Sequence, residues 1–143
     1  MADLVDTSLL LRLANREDAL YAVAASAVKT RHREGRLLHM APQNLVEFRG
    51  SATRPKEVNG LGLSTSEEVF QSDEFEDTFP LLPETPEIYP AWKALVSAAG
   101  VTGKQVHDAR LVAICHVYGI SHILTFNVRH FARLVEFLPQ GTI

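Results

Sequence analysis

Apolar residues along this chain follow two rhythms, and the alternation between them predicts the architecture. Short, nearly continuous apolar runs at 2–6, 36–41 ("RLLHMA"), 78–83 ("TFPLLP") and 121–127 ("SHILTFN") read as buried strands, with 133–139 ("RLVEFLP") as a fifth candidate. Between them the spacing turns helical. A helix is expected over 8–14, and another over 17–34, where Leu20, Val23, Ala24, Ala27 and Val28 recur on one side and Gly35 stops the run. Pro42 suits the first turn of a helix carrying Leu45, Val46, Glu47 and Phe48. The stretch 50–63 is a loop by its Gly, Pro and Asn content, and Ser64 with Glu67 then forms a capping box for a helix through about residue 75. Thr85-Pro86 opens a further helix that Gly100 ends, and 106–119 places Ala109, Val112, Ala113, His116 and Val117 on one face. Strands alternating with helices imply a parallel sheet covered on both sides, in one domain spanning 1–143. Ligands of such sheets bind beyond the carboxyl ends of the strands.

Composition narrows the class without naming a function. Hydrophobic residues make up 46% and charged residues 22%, the balance of an ordinary globular chain. A net charge of −3 supplies no global basic field, so a nucleic-acid partner must be met by a local patch. The lone Cys115 cannot form an internal disulfide and fits a reducing compartment. No apolar run approaches the roughly 18 residues of a membrane span, and no signal peptide is visible, so a cytoplasmic location is expected.

Several chemistries fall away. There is no glycine-rich phosphate loop, because "SAAGVTGKQ" lacks the leading glycine and the terminal hydroxyl residue of that motif. The six histidines show no paired zinc-ligand spacing. Cys115 lies mid-helix on an apolar stripe and reads as core; His116 and His122 read as partly buried structural residues, and Trp92 and Tyr118 as packing. Carboxylates remain. Asp6 interrupts "LVDTSLLLRL" where a strand should run on into a helix, Glu47 lies early in the helix after strand two, Asp108 lies in the first turn of the 106–119 helix, and Asn127 follows the fourth strand. Each has a plain alternative: Asp6 as a helix cap, Asp108 as a macrodipole partner worth about 0.3–1 kcal/mol, Glu47 on a solvated face. Together they carry more weight, because strand ends and helix starts of a parallel sheet share one rim. Three acids crowd a small site at low cost only if a cation neutralises them, and oxygen ligands select Mg²⁺ or Mn²⁺.

In order and spacing, "LVDTSLLL", "NLVEF", "TRPKEVNGLGLS", "VHDARLVA" and "ILTFNVRHF" resemble the PIN-domain ribonucleases, and most of all the VapC-type toxins of prokaryotic toxin–antitoxin pairs. The resemblance runs from Asp3 to about Pro139. It implies a three-layer α/β/α sandwich around a parallel sheet of four to five strands. It also implies Mg²⁺-dependent (or Mn²⁺-dependent) hydrolysis of RNA by a toxin with a cognate antitoxin partner, in a homodimer or higher oligomer. The family's acids fall on Asp6, Glu47 and Asp108; a fourth acidic position is Asn127 here, and His130 stands where a further Asp often precedes the Phe. Asp6 and Asp108 are then expected as direct metal ligands and Glu47 as a ligand or an orienter of water. Asn127 is a neutral contact, and Thr7, Ser8 and Thr125 are outer-shell hydroxyls. Positive charge near the rim is expected from Arg49, Arg54, Lys104, Arg110 and Arg129. The competing readings are a PIN-fold protein without turnover that binds RNA or protein, and a metal-dependent nuclease acting on DNA.

Overall fold

The structure is a computed structural model and describes residues 1–138. Strand β1 (Ala2–Val5) is central, flanked by β2 (Leu37–His39) and β3 (His122–Leu124), all parallel, in the order β2-β1-β3. Leu4 faces His39 on one side and Ile123 on the other, which fixes the register. Side chains of a strand alternate between faces, so Leu4 and Val5, both fully buried, enter different cores. Val5 and Leu38 pack with Leu9 and Leu10 of α1 (Thr7–Leu13), Ala24 of α2 (Tyr21–Arg33), Phe48 of α3 (Pro42–Ala52) and Phe75 of α4 (Thr65–Thr78). Leu4 and Ile123 pack with Ile88 and Leu95 of α5 (Ile88–Ala99), with Leu111 and Ile114 of α6 (Gln105–Tyr118), and with Phe131 of α7 (Val128–Phe131). Two cores on opposite faces of one sheet make the three layers expected.

Local chemistry sets the helix limits. Ser64 accepts from the Glu67 backbone, and Glu67 returns the bond to Ser64, so the expected capping box forms. Gly119 takes φ 69° and lets Ile120 donate back to the Cys115 carbonyl, which closes α6. Residues Leu111 to Cys115 are all buried, so α6 is covered on more than the single face its spacing suggested. Burial pushes the Cys115 thiol up, and the negative charge of Asp3 adds to the effect, as suits a core residue.

Four expectations need correction. The strand over 78–83 is reduced to one parallel bridge, Met40 to Leu81, beside β2, because Pro80 and Pro83 cannot donate to a ladder. The fifth strand over 133–139 is a 3₁₀ turn at Ala132–Phe137, with Pro139 outside the described residues. Its apolar Leu134 is buried against the α5–α6 layer, an arrangement that an apolar run permits equally well. Thr85 makes no side-chain cap and its hydroxyl is buried without a partner, while α5 begins three residues later. His116 is exposed rather than partly buried. No helix among the described residues is long and apolar enough to cross a membrane.

Candidate active site

Asp6 directly follows β1 and takes extended backbone angles at the start of α1. Its amide continues the ladder by donating to the Leu124 carbonyl at 2.9 Å. The side chain makes no cap bond, so the helix-cap reading fails. Instead Oδ2 accepts from Ser8 Oγ and from Thr125 Oγ1, both at 2.7 Å. The two hydroxyls lie 3.3 Å apart. Thr125 also accepts from the Asn127 amide, and Ser8 from the Phe126 amide, so the turn after β3 is buttoned onto the start of α1. Asp6 is buried, at 5% exposure, yet both bonds fall on one oxygen.

Glu47 is half-buried rather than on a solvated face. Thr7 Oγ1 donates to its Oε1 at 2.6 Å, and Gln43 Nε2 to its Oε2 at 2.9 Å. Behind Thr7 stands Asn44, fully buried, which donates to the Thr7 hydroxyl and accepts from the Ala41 amide. Gln43 also donates to the His107 carbonyl on α6, so it ties α3 to the helix carrying Asp108. Neither Gln43 nor Asn44 stood out in the sequence; the only local signal was their place one turn before Glu47.

Asp108 reports the convergence. Burial pushes its carboxyl up to about 6, and the charges of Asp6 and Glu47 push the same way, against the pull of His130 and His107. His130 Nδ1 lies 3.9 Å from its Oδ2. Asp108 on α6 therefore feels the acids at the exit of β1 and on α3 across one rim, and among the described residues no Lys or Arg pairs with any of the three. They do not stand as a closed ligand set: among the described residues no three His, Cys, Asp or Glu side chains are grouped closely enough to grip one ion. The donor chemistry suits a hard divalent cation, being carboxylate oxygen with hydroxyls behind it.

The expected basic rim is only partly there. Arg49 is two residues beyond Glu47 and so on the other side of α3, where it lies 3.6 Å from the buried Glu68 of α4. Arg110 is held by Glu84 at 2.7 Å and by Gln43 at 3.0 Å, so it acts on the cluster only through Gln43. Arg54 donates to Ser51, while Lys104 and Arg129 are exposed at the starts of α6 and α7. Asn127 is exposed on the same rim, its amide tied to Thr125.

Residues 4–136 match the PIN domain family. No curated protein sequence matches the chain. Among solved structures, it is similar to VapBC2 from Rickettsia felis bound to a DNA fragment from their promoter, with a TM-score of 0.71 at 12% identity over 97% of this chain and 96% of that one. Also similar is VapC20 of Mycobacterium tuberculosis, described as a sarcin–ricin loop cleaving toxin, with a TM-score of 0.68 at 17% identity over 92% and 94%. VapBC-1 from nontypeable Haemophilus influenzae gives 0.64 at 16% identity over 98% and 97%. At these identities the likeness establishes the shared fold.

Proposed function

The chain belongs to the PIN domain family, and on that premise we propose that it is a divalent-metal-dependent endoribonuclease acting as the toxin of a toxin–antitoxin pair. The observation that carries this reading is Asp108, pushed up to about 6 by burial and by two further acids that no arginine or lysine among the described residues neutralises. A fold tolerates such a cluster when a cation completes it. Asp6 and Asp108 would hold Mg²⁺ or Mn²⁺ directly, with Glu47 as a further ligand or as the group that orients water. Bound there, the ion would supply Lewis acidity and a more acidic water.

The protein's own share is positioning. Ser8 and Thr125 spend their hydroxyl protons on one oxygen of Asp6 and so orient the carboxylate. Thr7 and Gln43 pin both oxygens of Glu47, which keeps the carboxylate aimed. Asn127 adds a neutral amide at the rim and leaves room for the charge of the phosphate. RNA is favoured as substrate by the description of VapC20 as a sarcin–ricin loop cleaving toxin. A cognate antitoxin is favoured by the similar VapBC assemblies. An oligomer of this chain belongs to the same proposal.

Incubating the purified chain with single-stranded RNA and matched DNA, with Mg²⁺, Mn²⁺ or EDTA, tests the reading. Cleavage of RNA alone that vanishes in EDTA and returns with either ion is expected. Cleavage of DNA instead would move the protein to the DNA nucleases, and intact RNA under all conditions would favour the binding protein without turnover.

A further inference from the structure

Next to the acid cluster runs a groove of about 490 Å³ with a different chemistry. We propose that this groove seats the unpaired nucleobase beside the scissile phosphate and that Asn59 reads the base edge; the proposal rests on the nuclease reading above. Continuity is the first argument. Ser8 and Asn127 line the groove, and both belong to the bonded turn that fixes Asp6, so the groove lies within one nucleotide's reach of a phosphate at the acids.

Charge is the second argument. Arg12 also lines the groove, but its guanidinium is paired with Asp18 at 2.7 Å and lies over the Phe126 ring at 5.7 Å. The groove therefore offers no spare positive charge to a phosphate. What it does offer is apolar surface from Leu11 and Leu61 and polar groups from Ser51, Asn59 and Asn127. Flat apolar faces with donors and acceptors on the rim are the counterpart of a neutral base.

Rigidity is the third. The loop carrying Asn59 and Leu61 closes on itself: Gly62 donates to the Arg54 carbonyl at 2.8 Å and Gly60 to the Pro55 carbonyl at 3.0 Å. A Cβ on Gly60 would fall 1.9 Å from the Arg54 carbonyl oxygen, so the closure demands glycine there. Asn59 holds a left-handed backbone at φ 63°, and its side-chain amide makes no hydrogen bond to the described residues. An amide with donor and acceptor both free, on a loop that the backbone already fixes, is suited to pair with a base edge at little ordering cost.

The test separates base reading from catalysis. Asn59→Gly keeps the left-handed backbone and removes only the amide. Four labelled tetraribonucleotides differing at one base are titrated by fluorescence anisotropy in an Asp108→Asn background, in which no cleavage is expected. With Asn59 present, the best and worst bases should differ by about tenfold in Kd, the scale of one good base-edge pair. With Asn59→Gly the ratio should fall below about twofold, the melting temperature staying within a degree or so. Equal binding of all four bases with Asn59 present would overturn the proposal and leave the nuclease reading standing. Groove resonances that respond to an added partner protein but not to RNA would overturn it in favour of a peptide seat. Failure of the nuclease reading itself shows elsewhere, as RNA left intact by the wild-type chain with Mg²⁺.

Discussion

Asp3 and Asp6 lie three residues apart on one strand and its exit, and their surroundings are opposite. Asp3 is buried at 1% exposure, with Arg31 Nε at 2.8 Å and Arg36 Nε at 2.9 Å. Arg36 is itself buried, donates to the Ala2 carbonyl and lies against His122. Burial works to raise the Asp3 carboxyl, but the hydrogen bonds and charges of the two arginines outweigh it and hold the group below its usual value. Asp6 meets hydroxyls alone, beside two more acids. One acid with two cations forms a finished structural joint at the amino-end side of the sheet. Three acids with no arginine or lysine among the described residues form an unfinished one at the carboxyl end. Both carboxylates are buried; what separates structure from chemistry is whether the protein supplies the counter-charge.

The largest effect expected is on turnover. Asp6→Asn should lower RNA cleavage by about a thousandfold or more, roughly 4 kcal/mol in barrier, while thermal unfolding stays level or shifts upward. Cleavage retained in that variant would mean that the unfinished end is not the reacting one. Asp3→Asn should do the reverse. Removing the acid strands the buried charge of Arg36 and leaves Arg31 with Glu34 alone, and should cost about 3 kcal/mol in urea unfolding while the folded fraction keeps its turnover number. An Asp3→Asn variant as stable as the wild type would erase the contrast.

Smaller effects separate the two ends by pH. The Asp108 carboxyl, at about 6 in the folded state, lies above the ordinary aspartate value of 3.8. Its contribution to stability is therefore present below 3.8 and lost as pH rises through about 6. In EDTA the wild type should gain stability as pH falls through that window, and Asp108→Asn should gain about 1–2 kcal/mol at pH 7 and flatten the profile. Asp3 works in the other sense. Its carboxyl is lowered, so its contribution is present above 3.8 and disappears only as pH falls below that. A profile with no feature near pH 6 would show that neither burial nor the neighbouring acids raise Asp108. The smallest effect concerns Asn127. Asn127→Asp replaces a neutral contact by a charged one and should tighten Mn²⁺ binding to the free protein by about fivefold in calorimetric titration. Unchanged affinity would place that side chain away from the ion.

Much of the architecture was legible in the sequence because it rests on local rules. Helical spacing, the Ser64–Glu67 box and the Gly100 stop depend on neighbours a few residues away, and they appear in the structure, as do the strands at three of the five apolar runs. The strand-to-helix junction bearing Asp6 and the first helical turn bearing Asp108 were visible for the same reason. Long-range choices were not. Whether Asp6 capped its own helix or met Thr125, 119 residues later, was undecidable until β1 and β3 stood side by side. Arg49 and Arg110 carried the same charge in the sequence as any rim arginine, and only the packing of α3 on α4, with Glu84 near α6, drew them off. Asp3 looked like a strand residue of no note until Arg31 and Arg36 closed on it from α2 and the turn before β2. The run 133–139 had apolar content enough for a strand, but burial can be satisfied in either geometry, and the chain settled it with a 3₁₀ turn against α6 over its described part. Sequence alone thus determined the main helices, the three sheet strands and where acids meet their ends, since hydrogen-bond period and capping are local. Tertiary structure decided which charges find partners, since that is fixed by contacts between segments far apart in the chain.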